Sequence, residues 1–119
     1  MRDFRKLAVW EKSHRLTLAV YVATRRFPRE ELYALTSQLR RSCASVPSNI
    51  AEGCGRTGSR EFARYLDIAS GSASEVEYHL ILARDLQYLG DDDYGRLTSA
   101  VCEVKQMLTS LVAKVRPDH

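Results

Sequence analysis

The sequence predicts an all-α fold, an up-down-up-down antiparallel four-helix bundle, and three observations carry that prediction. Apolar residues recur at helical spacing through four stretches, strand-like alternation is hard to find, and the glycines and prolines leave only short connections between the stretches. Four helices joined by short loops pack most economically with antiparallel neighbours. At 119 residues the chain is long enough to bury one core without staples, so residues 1–119 are expected to form a single domain.

The first helix is expected over residues 7–26. It ends at Phe27-Pro28, because a residue before proline is pushed out of helical geometry. The second is expected over residues 35–54, with a kink near Pro47, whose ring removes a backbone donor and crowds the preceding turn. Gly53, Gly55 and Gly58 loosen the chain around Arg56 and Thr57. Ser59 then offers an N-cap oxygen, with Glu61 in the first turn, to open a third helix over residues 60–89. Gly90 is its expected left-handed terminator, and Asp91, Asp92 and Asp93 favour the next N-terminus. The fourth helix, residues 94–115, carries one apolar stripe through Leu97, Val101, Val104, Leu108, Leu111, Val112 and Val115, and stops before Pro117.

The segment from Gln38 to Gly53 carries the most information. Gln38, Ser42, Ser45, Asn49 and Glu52 fall on one narrow helical stripe, where a buried seam normally holds Leu or Ile. Burying such a ridge costs stability unless each polar group finds a partner, so it points to a specified contact that fixes register, either between subunits or between helices two and three. The Asn49 amide is expected to bond a carbonyl freed by Pro47, and Glu52 to meet Arg40 or Arg41 of a neighbour. The alternative is that these groups only satisfy a kinked backbone.

Helices one and three carry more apolar surface than one bundle face needs. In helix one, Trp10, His14, Thr17, Leu18 and Tyr21 form one stripe, while Val9, Leu16 and Val20 lie nearly opposite. In helix three, Phe62, Tyr65, Ala69, Val76, Leu80 and Ala83 form one face; Ile68, Leu82, Leu86 and His79 form another. The surplus strips predict a homo-oligomer. The small-residue run over 69–74 would let a helix backbone come close, since Gly71 otherwise costs a helix about 1 kcal/mol.

Several function classes are excluded or disfavoured. The N-terminus has no uninterrupted apolar run and no stretch is long enough to cross a bilayer, so a soluble cytoplasmic protein without membrane contact is expected. Cys43, Cys54 and Cys102 are odd in number and lack C-x-x-C spacing, which reads as packed thiols. His14 and His79 lie on or near apolar stripes, where packed histidines outnumber metal ligands, and His119 is terminal. No motif asks for a metal or another cofactor. Pairing Cys43 with His14 as nucleophile and base lacks an orienting group and an oxyanion site, so no enzyme is expected. The glycine-rich stretch 53–58 lacks the Lys-Ser/Thr ending and the preceding strand of a phosphate loop.

Net charge is only +3, yet residues 1–64 hold 13 Arg/Lys against 6 Asp/Glu and residues 65–119 hold 5 against 9. Fourteen of the 18 basic residues are arginine, the side chain suited to bidentate phosphate contacts. Arg56, Arg60 and Arg64 are spaced by four, and with Arg40 and Arg41 they are expected to form a basic rim that grips phosphate backbones and is repeated around an oligomer. Pairing between subunits with Asp67, Glu75 or the aspartate turn is the alternative role.

Trp10, Tyr21, Phe27-Pro28, Glu31, Leu35, the run Gln38-Leu-Arg-Arg41, the string Ser45-Val-Pro-Ser-Asn-Ile-Ala-Glu-Gly53, Phe62, Tyr65, Leu66, Ala69, Gly71-Ser72 and Glu75 carry a resemblance. They resemble the four-helix-bundle proteins encoded in intervening sequences of bacterial large-subunit ribosomal RNA genes. These are similar in turn to the accessory variability protein of diversity-generating retroelements, a pentameric ring with a basic surface that binds RNA and a reverse transcriptase. The resemblance implies a ring-forming bundle, pentameric by that likeness, with a nucleic-acid partner, and no catalytic residues carry over from it. Two functions follow as expectations. One is an RNA-binding adaptor using Arg40, Arg41, Arg56, Arg60 and Arg64. The other is a protein-interaction scaffold that docks a second protein and uses its charge asymmetry internally.

Overall fold

The computed structural model describes residues 2–116; Met1, Pro117 and His119 lie outside the described residues. Four helices, α1 (Ala8–Thr24), α2 (Leu35–Cys54), α3 (Ser59–Asp85) and α4 (Asp91–Val115), are joined by short links, and short 3₁₀ turns sit at Phe4–Lys6 and Arg29–Glu31. Among the described residues there is no strand. Each helix packs on its two neighbours around a square, α1 on α2, α2 on α3, α3 on α4 and α4 on α1, which leaves α1 diagonal to α3. The bundle measures 45 × 22 × 21 Å, and Leu39, Val46, Ile50, Phe62, Leu66 and Leu80 are among the residues at its centre.

Helix two keeps its predicted bounds and runs through Pro47 without interruption. Proline at position 47 leaves the carbonyl of Cys43 without its helical donor. The buried Thr17 hydroxyl of α1 lies 3.3 Å from that oxygen while also donating to Ser13 O at 2.8 Å. A side chain on a neighbouring helix therefore meets the orphaned acceptor. Asn49, expected in that role, instead donates its amide to Ser45 O at 2.8 Å and to Ser45 Oγ at 2.9 Å.

Within the bundle the tight glycine contact falls at Gly53, while Gly71 of the small-residue run faces open space. A methyl group on Gly53 would stand 2.8 Å from Tyr65 Cβ and 3.1 Å from Phe62 Cδ1, whereas one on Gly71 would meet nothing within 4 Å. Gly53 thus lets the end of α2 press on the start of α3. Gly58, at φ 86°, turns the chain between them and occupies the N-cap position expected of Ser59, which is already the first helical residue.

Helix three stops four residues earlier than predicted because its left-handed terminator is Gln87, at φ 65°, and not Gly90. Tyr88 N–H donates to Ala83 O and Gln87 N–H to Arg84 O, each at 2.9 Å, the paired bonds of a Schellman closure. Tyr88 then packs its ring on Phe27 and donates its hydroxyl to Glu31 at 2.9 Å. Gly90 is extended and caps α4, whose first turn takes in all three aspartates.

Of the two stripes on α1, the bundle buries Val9, Leu16 and Val20, with Thr17 at the margin, and leaves Leu18, Tyr21 and Val22 exposed. On α3 it buries Phe62, Ala69, Val76, Leu80 and Ala83 and leaves Ile68, Tyr78 and Leu86 exposed. His79, expected on the outer strip, is buried with the core.

Gly53→Ala is expected to lower the unfolding free energy by about 1–3 kcal/mol, the usual cost of overpacking. Gln87→Gly is expected to raise it by up to about 1 kcal/mol, by relieving a left-handed residue that bears a Cβ. Urea unfolding of both variants beside the parent protein checks both signs.

Candidate nucleic-acid interface and polar seam

The polar ridge of α2 enters the α2–α3 groove in its middle and emerges at both ends. Gln38 and Glu52 are exposed, Ser45 and Asn49 half-buried, and Ser42 buried. Ser45 Oγ lies 2.9 Å from Ser72 Oγ of α3, and Ser42 Oγ lies 3.3 Å from His79 Nδ1. These two contacts join α2 to α3; Ser42 Oγ also donates to Leu39 O at 3.2 Å, and Ser45 Oγ accepts from Asn49. Glu52 bonds Arg56 of its own chain at 2.7 Å, a pairing the sequence did not single out.

His79 is 5% exposed, and its Nε2 stands 3.9 Å from Glu75 Oε2. Burial pushes its pKa below the ordinary histidine value, and the Glu75 charge opposes that only in part. Cys43 is fully buried, and desolvation raises its thiol to about 11, with a hydrogen bond from Thr17 acting the other way. It is therefore held as the protonated thiol and is not poised as a nucleophile. His14 is exposed and stacks on Trp10 at 5.0 Å, on the outside of the bundle. Cys54 is buried and Cys102 half-buried, its sulfur 3.6 Å from Glu77 Oε2. Among the described residues no group of three or more His, Cys, Asp or Glu side chains is placed to hold a metal ion.

The five arginines do not form one rim. Arg40 and Arg41 lie in the second turn of α2 and Arg56 just beyond its end, about 20 Å along the axis at 1.5 Å per residue. They form two clusters. In the first, Arg40 donates Nε to Thr24 Oγ1 at 2.8 Å and lies 4.8 Å over the Tyr21 ring. Arg41 is exposed beside it and makes no hydrogen bond or ion pair among the described residues. In the second, the guanidinium groups of Arg56 and Arg64 lie 5.2 and 4.6 Å from the Tyr65 ring, and Arg60, one turn before Arg64, is exposed and without an ion pair among the described residues. Arg64 also bonds Glu61 at 3.2 Å, which holds that carboxyl below its ordinary pKa. Within the subunit Asp67 meets Arg116, Asp93 of the aspartate turn meets Arg26 and Arg96, and Glu75 lies near His79.

Sequence reasoning missed Arg2. Its N–H donates to Cys54 O at 3.2 Å and its guanidinium stacks 4.2 Å over Phe62, which adds a fourth arginine to the second cluster. Nothing local in the sequence ties residue 2 to the end of α2; only the closed bundle does. Tyr21 and Tyr65 as mounts for arginine were legible in principle, because Tyr65 is one residue from Arg64.

A family model described as 23S rRNA-intervening sequence protein matches residues 5–110. Among solved structures, a protein of unknown function from the S23 ribosomal protein family of Bacteroides thetaiotaomicron is 24% identical. It is covered over 98% of its length and covers 88% of this chain with a TM-score of 0.81, a likeness of fold. No curated protein matches the chain. No helix among the described residues is long and apolar enough to cross a membrane.

The buried neutral His79 makes stability depend on pH. Its folded pKa lies below the unfolded value of 6.5, so the unfolded chain binds the extra proton first. Its contribution is complete above 6.5 and is lost as pH falls through the folded pKa. Urea midpoints measured from pH 8 down to pH 5 should fall with acidification, and His79→Gln should flatten that slope.

Proposed function

Because the chain belongs to the 23S rRNA-intervening sequence protein family, matched over residues 5–110, we propose that it is a non-enzymatic, self-associating adaptor that holds nucleic acid, RNA above all, on its arginines. The observation that carries this reading is how the arginines are held. Arg2, Arg40, Arg56 and Arg64 each lie over an aromatic ring, which supports the guanidinium at the surface without consuming its charge. Arg41 and Arg60 stand beside them with no acidic partner among the described residues. Such groups are ready to exchange water and counterions for phosphate oxygens. Glu52 and Glu61 oppose the reading at Arg56 and Arg64, and they favour a protein scaffold in which those arginines serve only local pairs.

Self-association rests on the two uncovered apolar strips. The strip of α1, with Leu18 and Val22, and that of α3, with Ile68 and Tyr78, lie on diagonally opposite helices. Two unlike faces on opposite sides of a subunit join head to tail, and such contacts close into a ring when the rotation permits. Five subunits is the count implied by the accessory variability protein that the chain resembles. Repetition around a ring multiplies a modest arginine cluster into an avid surface.

Fluorescence anisotropy with structured RNA should show binding that survives physiological salt and falls linearly on a log–log salt plot. Arg41→Ala with Arg60→Ala should weaken it and flatten the slope by about 0.7–0.9 for each phosphate that is no longer neutralised. Unchanged affinity in that double variant, or binding only at low salt, would move the assignment to a protein scaffold. For assembly, Leu18→Arg and Ile68→Arg should each reduce the mass seen by light scattering. Mixed together, they should form a defined heterodimer through the one intact face on each, whereas a face that pairs with itself would leave one variant dimeric alone.

A further inference from the structure

Resting on the nucleic-acid reading above, we infer that the groove between the upper halves of α1 and α2 is a stacking site for unpaired bases of single-stranded RNA. Tyr21, Leu32, Tyr33, Ser37, Arg40 and Arg41 line it around a volume of about 510 Å³. Tyr33 is 93% exposed, which puts both faces of its ring in water on the link leading into α2. A tyrosine so exposed contributes nothing to the core, and its ring offers a platform that any base can cover.

The surroundings favour a nucleic acid over a second protein helix. No carboxylate lines the groove, and two guanidinium groups do. Glu31, the acidic residue two positions before Tyr33, is turned away: its Oε2 accepts from Tyr88 and its Oε1 from Leu35 N–H. Arg40 is fixed in place by Thr24 below and Tyr21 beside it, so its charge is presented in a set position. Arg41, which also borders the polar seam, forms no ion pair with Glu75 there. Adjacent residues on a helix diverge by about a quarter turn, so Arg40 and Arg41 reach two successive phosphates while the intervening base lies on Tyr33. A duplex keeps its base faces stacked inside and cannot use such a platform.

The test compares labelled oligoadenylate with the duplex formed by the same strand and its complement, at physiological salt, using the intact protein. Tyr33→Ala should weaken the single strand roughly ten-fold or more, Tyr33→Phe should retain it, and duplex affinity should stay the same in both. Light scattering on each variant accompanies the titration. Equal affinity of Tyr33→Ala and the parent protein for the single strand would overturn the site while leaving the nucleic-acid reading intact. Absence of single-strand binding by the parent protein would overturn the site, and absence of binding to any nucleic acid would overturn both. A lower oligomer mass in Tyr33→Ala would assign the groove to a second copy of the chain instead.

Discussion

The approach of α2 to α3 is the constraint on which the rest of the bundle depends. A helix that must press its last turn against the first turns of the next cannot carry a side chain at the contact, and Gly53 supplies the missing atom. With that end pinned, the ridge above it has only one register in which Ser45 meets Ser72 and Ser42 meets His79. A slide of one helical turn would break both contacts and take the buried imidazole from its Ser42 partner, at a cost of about 1–3 kcal/mol for a polar group so stranded. Polar contacts in an apolar groove add little net stability. What such contacts can supply is specificity of register. Pro47 fits the same logic. It removes one backbone donor in the middle of α2, and the buried Cys43 carbonyl left open lies 3.3 Å from the Thr17 hydroxyl of α1, which it shares with Ser13 O.

Much of this was legible in the sequence, and the failures have definite causes. The bounds of α2, Leu35 to Cys54, follow from the proline before it and the glycines after it, because both residue types act on the backbone itself. The end of α3 did not follow. Glycine is the favoured left-handed terminator, but Gln87 takes that conformation here because the closure it makes seats Tyr88 against Phe27 and Glu31, contacts 57 or more residues away in the chain. Tertiary packing overrode local preference. The ridge was visible because helical spacing alone aligns it. Its partners Ser72 and His79 were not, since pairing across helices depends on registration that no single helix encodes.

The candidate site divides in the same way. Helical rise alone could have shown that residues 40 and 56 stand toward opposite ends of α2, so within one subunit the five arginines divide into two clusters. The aromatic mounts belong to a different category. Tyr65 is adjacent to Arg64, yet it also receives Arg56 from the preceding link, and that second contact exists only because Gly58 turns the chain back. Arg2 reaches Phe62 only after the whole bundle has closed and brought the N-terminus beside the end of α2.

The preference for arginine over lysine now has a physical basis in the fold. A lysine ammonium is strongly hydrated and has no flat face, so it would leave Tyr21, Phe62 and Tyr65 uncovered and wander on its stem. Guanidinium groups lie over all three rings, the exposed Tyr21, the half-buried Tyr65 and the buried Phe62. The same side chains therefore do two things that ordinarily compete: they shield apolar surface at the edge of the bundle and they keep positive charge in water. Arg56 and Arg64 take on a third task by pairing with Glu52 and Glu61, whereas Arg41 and Arg60 have no ion pair among the described residues. Order and availability are separate properties of a surface charge. Arg41 stands beside Arg40, and Arg60 is one helical turn from Arg64, so each cluster joins an arginine held by a ring to one without an ion pair among the described residues.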